Sequence, residues 1–110
     1  MTFRSRQLLD MCHSVQVCQL NIPGVCIGYS VDGCEPAHGP KSMFNGGGAL
    51  KSDDIPCASC GPCHRELDQG RTLSREERQW YWMRGAVRTM TLFLERGWLK
   101  LADKAARALA

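Results

Sequence analysis

The chain has 110 residues, of which 44% are hydrophobic and 23% charged, with a formal charge of +3 and seven cysteines. That length allows one domain whose core is only marginally stable without a staple. The odd cysteine count and the lack of a long apolar N-terminal run exclude a complete disulfide framework and point to reduced thiols in a cytoplasm, and no stretch reaches the roughly 20 apolar residues of a bilayer span, so a soluble protein with no membrane partner is expected.

Charge is unevenly placed. Residues 1–63 carry four basic and five acidic groups, whereas 64–110 carry ten basic and six acidic. Seven of those ten are arginines between Arg65 and Arg96. Guanidinium groups suit phosphate contact because each can make two hydrogen bonds to one phosphate, although a solvated helix face explains the same bias.

In chain order, residues 4–13 predict a short helix with Leu8, Leu9 and Cys12 on its buried side, packed across the cysteine-rich region. From Val15 to Leu20 apolar and polar residues alternate with the period of a strand. Ile22-Pro-Gly-Val then predicts a tight turn that returns Cys26 to Cys18. Residues 27–38 read as a second, irregular strand ending at His38. Between Gly39 and Asp54 the chain reads as loop, with Asn45-Gly-Gly-Gly at its centre, because three successive glycines hold no regular element together. A short helix is expected from His64 to about Gln69, ended by Gly70. Ser74-Arg-Glu-Glu77 is a capping box that should start a long helix running to Gly97. Its Trp80, Met83, Val87, Met90 and Leu94 recur every three or four residues and predict the buried stripe. The overall expectation is an α+β domain of 1–110, divided into an N-terminal helix (4–14), a zinc-bound core (15–73), a long amphipathic helix (74–97) and a weakly helical tail (98–110). A homodimer contact through the exposed side of the long helix is the alternative to its burial within the domain.

Cysteines carry the chemistry. Cys18 and Cys26 bracket the turn, and Cys57-Ala-Ser-Cys60-Gly-Pro-Cys63-His64 follows about thirty residues later. Two separated thiol pairs make one tetrahedral four-sulfur zinc site, with Zn2+ in a structural role. Cys18, Cys26, Cys60 and Cys63 are favoured because His64 then opens a helix directly from the knuckle; Cys57 with Cys60 is the other register. Cys12 and Cys34 read as buried free thiols.

The ordered combination of Cys18-Gln-Leu-Asn-Ile-Pro-Gly-Val-Cys26, Ala37-His38, Lys51-Ser-Asp-Asp, Cys60-Gly-Pro-Cys63-His64 with Glu66 and Asp68, and the later Trp- and Leu-containing helix resembles the YbcO-like prophage nucleases, within the HNH endonucleases of ββα-metal core. The likeness covers roughly residues 4–102. It implies a zinc-anchored, HNH-like ββα-metal core with a long C-terminal helix, hydrolysing DNA phosphodiester bonds in phage or prophage DNA processing inside a bacterial host cell. By resemblance, His38 is the general base. His64 binds a catalytic divalent cation such as Mg2+, with Asp68 one turn on as a second ligand. Asp53 stands at the motif's middle position, either orienting His38 or binding the cation, and Asp54 competes for that place if the loop register moves by one. Many HNH enzymes carry Asp or His before the base where this chain has Ala37, which leaves the cation fewer protein ligands and more water. Lys41, Lys51, Arg65 and Arg71 are candidates for phosphate contacts with DNA. The other reading is a non-catalytic zinc module that binds nucleic acid or a partner protein with the same cysteines and no second metal.

Overall fold

The computed structural model describes residues 3–40 and 53–102. Among these residues the fold is α+β, with three α-helices and one two-stranded sheet. Helix α1 (Arg6–Met11) starts where the Ser5 hydroxyl accepts from the Leu8 amide, and it tightens into a 3-10 turn over Cys12–Ser14. Strand β1 (Glu35–Ala37) pairs antiparallel with β2 (Cys57–Ser59) in the register Glu35↔Ser59, Pro36↔Ala58, Ala37↔Cys57. β2 leads through Cys60 into α2 (Gly61–Gln69), and α3 (Arg75–Glu95) completes the fold. The capping box is formed as expected: the Glu77 amide donates to Ser74 Oγ at 3.1 Å and the Ser74 amide to Glu77 Oε1 at 2.8 Å.

Residues 15–31 form an irregular ribbon in place of two full strands. Its ties are a single bridge between Val17 and Tyr29 and bonds such as Cys18 N–H to Gly28 O at 2.7 Å. The turn closes as expected, with the Val25 and Cys26 amides donating to Ile22 O, and Gly24 takes a φ of 76° that the turn requires.

Two buried clusters flank β2. One joins Cys18, Leu20, Ile22, Cys57, Cys60, Cys63, Leu67 and Trp82; the other joins Leu8, Cys12, Val15, Cys34, Ala58 and Phe93. α1 therefore packs into the second cluster and not across the cysteine knot. Cys12 and Cys34 lie buried there, and desolvation pushes both thiols up to about 12, so they remain neutral.

Four of the five residues of the expected apolar stripe of α3 face outward, whereas Met90 packs half-buried against the cluster around Phe93. Trp80, Val87 and Leu94 are each 58% exposed, and Met83 is exposed too, while Trp82, Gly85, Ala86, Thr89 and Phe93 are buried. Close approach decides the orientation. A Cβ on Gly85 would sit 2.4 Å from Cys57 Sγ, so the helix lies against β2 on its smallest residue. Thr89 Oγ1 accepts from the Ala58 amide at 3.0 Å, and the Trp82 indole N–H donates to Ala37 O at 2.9 Å. A contact surface built from Gly, Ala and Thr is invisible to a search for large apolar residues. α2 is fastened at its C-terminal end by Arg78, whose guanidinium donates to the carbonyls of Glu66, Leu67 and Gly70.

Candidate metal centre and histidine site

The turn at 22–26 and the start of α2 bring four sulfurs together. The Sγ atoms of Cys18, Cys26, Cys60 and Cys63 all lie within 4.8 Å of one another. Tetrahedral zinc with bonds of about 2.3 Å needs sulfur separations of about 3.8 Å, so a modest contraction suffices. Three backbone amides point at this cluster: Ile22 donates to Cys63 Sγ at 3.4 Å, Cys60 to Cys18 Sγ at 3.2 Å and Gly28 to Cys26 Sγ at 3.2 Å. Donors aimed at sulfur favour the thiolate that a metal needs. The hydrogen bond from the Cys63 thiol holds Cys18 well below the ordinary thiol value, with further help from the Asn21, Cys60 and Leu20 backbone. The donor set thus fits a metal such as zinc. Cys57, the other register, is turned into the core beneath Gly85, where burial pushes its thiol well up. Among the described residues this is the one group of three or more ligand-type side chains whose donor atoms converge.

The two histidines of interest stand at opposite ends of β1. His38 follows Ala37, and its Nε2 lies 2.9 Å from Asp54 Oδ1. Burial by itself would raise the Asp54 carboxyl, but hydrogen bonds from His38 and the Ser5 amide, with the charge of Arg4, outweigh it and hold the group below its ordinary value. An ionised Asp54 only accepts, so Nε2 is the donor in this contact, and in the neutral ring Nδ1 is the nitrogen that carries the lone pair.

Asp53, expected to orient His38 or bind the cation, is not the carboxylate beside His38. Its Oδ1 accepts the Phe3 backbone N–H at 2.8 Å, and Asp54 takes the place beside His38. The chain bends at Asp54, and both aspartates are tied to residues 3–5, which leaves Asp54 beside the histidine and Asp53 on the Phe3 amide.

His64 lies in α2 with Asp68 one turn later; Nε2 is 3.2 Å from Asp68 Oδ2. Its Nδ1 is 2.7 Å from Oε1 of Glu35, a residue with no place in the sequence-based site. Hydrogen bonding to Asp68, then to Glu35, raises the His64 imidazole above its ordinary value against the opposing effect of burial. Of the residues expected around the cation, the structure brings together His64 and Asp68, Asp53 pairs elsewhere, and none of the contacts of His38 reaches that pair. Arg65 and Arg71 are exposed at α2 and just beyond it, while Lys41 and Lys51 lie outside the described residues.

No family model and no curated protein matches the chain. A solved structure does: a "putative bacteriophage protein" from Escherichia coli str. K-12 substr. MG1655 superposes with a TM-score of 0.60 at 24% identity, over 81% of this chain and 98% of that one. At that identity the likeness speaks for a shared fold. Among the described residues no helix is long and apolar enough to cross a membrane.

Proposed function

We propose that this chain is a zinc-anchored HNH-type endonuclease that hydrolyses DNA phosphodiester bonds, working in phage or prophage DNA processing in a bacterial cytoplasm. The observation that carries it is the His38–Asp54 pair at the end of β1, in a hairpin that runs directly into the helix bearing His64. With Asp54 accepting the Nε2 proton, His38 Nδ1 takes a proton from water as that water attacks phosphorus. Asp54 also stabilises the imidazolium that results. A divalent cation held by His64 and Asp68 supplies, when bound, neutralisation of charge on the leaving oxygen. The half-exposed carboxylate of Asp68 leaves room for the several waters that Mg2+ retains. Arg65 and Arg71 hold the flanking phosphates. The phage assignment draws on the bacteriophage neighbour and on the family resemblance.

The test is plasmid cleavage by the zinc-loaded protein with Mg2+ or Mn2+. His38→Ala should lower the rate by about 10²- to 10⁴-fold, the usual worth of a general base, with zinc content unchanged. Equal inertness of wild type and variant across metals and DNA forms would reject the enzyme. One observation favours the non-catalytic reading in that event: exposed Trp80, with the Arg84 guanidinium 4.9 Å from its ring, is a stacking surface that needs no second metal.

A further inference from the structure

We propose that Glu35 is the positioning residue for His64: its carboxylate accepts the Nδ1 proton and so reserves Nε2, beside Asp68, as a cation ligand. This deepens the nuclease reading and rests on it. The register Glu35↔Ser59 sets Glu35 at the end of the hairpin from which α2 departs, so its side chain meets the first turns of that helix. Glu35 Oε2 lies over the start of α2, 3.4 Å from where a Cβ on Gly61 would stand.

The distances then assign the two nitrogens different duties. Nδ1 meets Glu35 at 2.7 Å, the short separation of a charge-assisted bond. Nε2 stands 3.2 Å from Asp68 Oδ2, an ion pair in which a bound divalent ion would take the place of the proton, and neighbouring corners of an octahedron with bonds of about 2.1 Å are about 3 Å apart. His64 and Asp68 are thus spaced as adjacent ligands of one small divalent ion. A carboxylate on the far nitrogen of a ligating histidine fixes ring orientation and tautomer and increases its basicity. Glu35 and Asp68 are both about half exposed, so the cation and its waters have access.

Mn2+ binding to the zinc-loaded full chain, followed by electron paramagnetic resonance of the free ion, tests this without reference to cleavage. His64→Ala should abolish the site. Glu35→Ala should weaken Mn2+ binding by about 10- to 100-fold, the usual effect of removing such a partner. Glu35→Gln, whose amide oxygen still accepts the Nδ1 proton, should fall between that variant and wild type. Zinc content and circular dichroism of all three serve as folding controls. Wild-type Mn2+ affinity in Glu35→Ala, or identical losses in Glu35→Ala and Glu35→Gln, would overturn the positioning role, as would Mn2+ binding that survives His64→Ala. Intact Mn2+ binding with the expected ordering but no DNA cleavage would instead reject the nuclease reading and leave the cation site standing.

Discussion

The cysteine cluster and the histidine region are built on opposite plans. Four sulfurs converge from two remote segments, three of the four residues fully buried, with backbone amides aimed at the sulfurs. The histidines are partly solvent-exposed, stand at the two ends of a three-residue strand, and are each held by side-chain carboxylates: His38 by Asp54, His64 by Glu35 and Asp68. Backbone-organised groups are expensive to disturb, and side-chain-organised groups can be altered without unfolding the chain. Stability should therefore reside in the first region and chemistry in the second.

The largest expected effect tests the sulfur side. Cys18→Ser, or zinc removal by a chelator, should forfeit metal-binding energy on the order of 10 kcal/mol, comparable to the stability of a whole small domain, and abolish the near-ultraviolet circular dichroism. Cys57→Ser should keep one equivalent of zinc by elemental analysis. A loss of zinc in that variant would move the cluster to the other register. Retained tertiary signal in zinc-free Cys18→Ser protein would break the contrast altogether.

Packing comes next. Phe93→Ala should cost about 3–5 kcal/mol because the ring is wholly buried, whereas Leu94→Ala, one residue on, should shift urea unfolding by no more than about 0.5 kcal/mol. Comparable losses would return the outward stripe of α3 to an interior.

A smaller effect belongs to Asp54. Because its carboxyl is depressed in the folded chain, its contribution to stability is complete above the unfolded value and is lost as pH falls through the folded one. Between about pH 6 and about pH 3, wild type should lose more stability than Asp54→Asn. Zinc release is common to both proteins, so the difference between their urea midpoints isolates the aspartate. Parallel curves would show that the pair with His38 contributes nothing to folding.

Much of this contrast was legible in the residues. Cysteine spacing indicated the sulfur set because ligands of one small ion must come in short-range pairs. Ser74 and Glu77 marked the start of α3 because a capping box is satisfied locally. The buried face of α3 was misread, since Gly85, Ala86 and Thr89 carry little hydrophobic weight and matter through how near they let β2 come. Glu35 escaped notice for a different reason. Its value depends on the pairing with Ser59, twenty-four positions away, and no local pattern encodes that register. The place of Asp54, and not Asp53, beside His38 is of the same kind, set by contacts with residues 3–5 some fifty positions away.

One consequence concerns the leading residues. Phe3 and Ser5 give their amides to Asp53 and Asp54, and Arg4 lies against Asp54. The front of the polypeptide thus acts as a clasp on the carboxylate that steadies His38. Trimming it during expression design would leave the sulfur knot untouched while unmooring an imidazole more than thirty positions further along the chain.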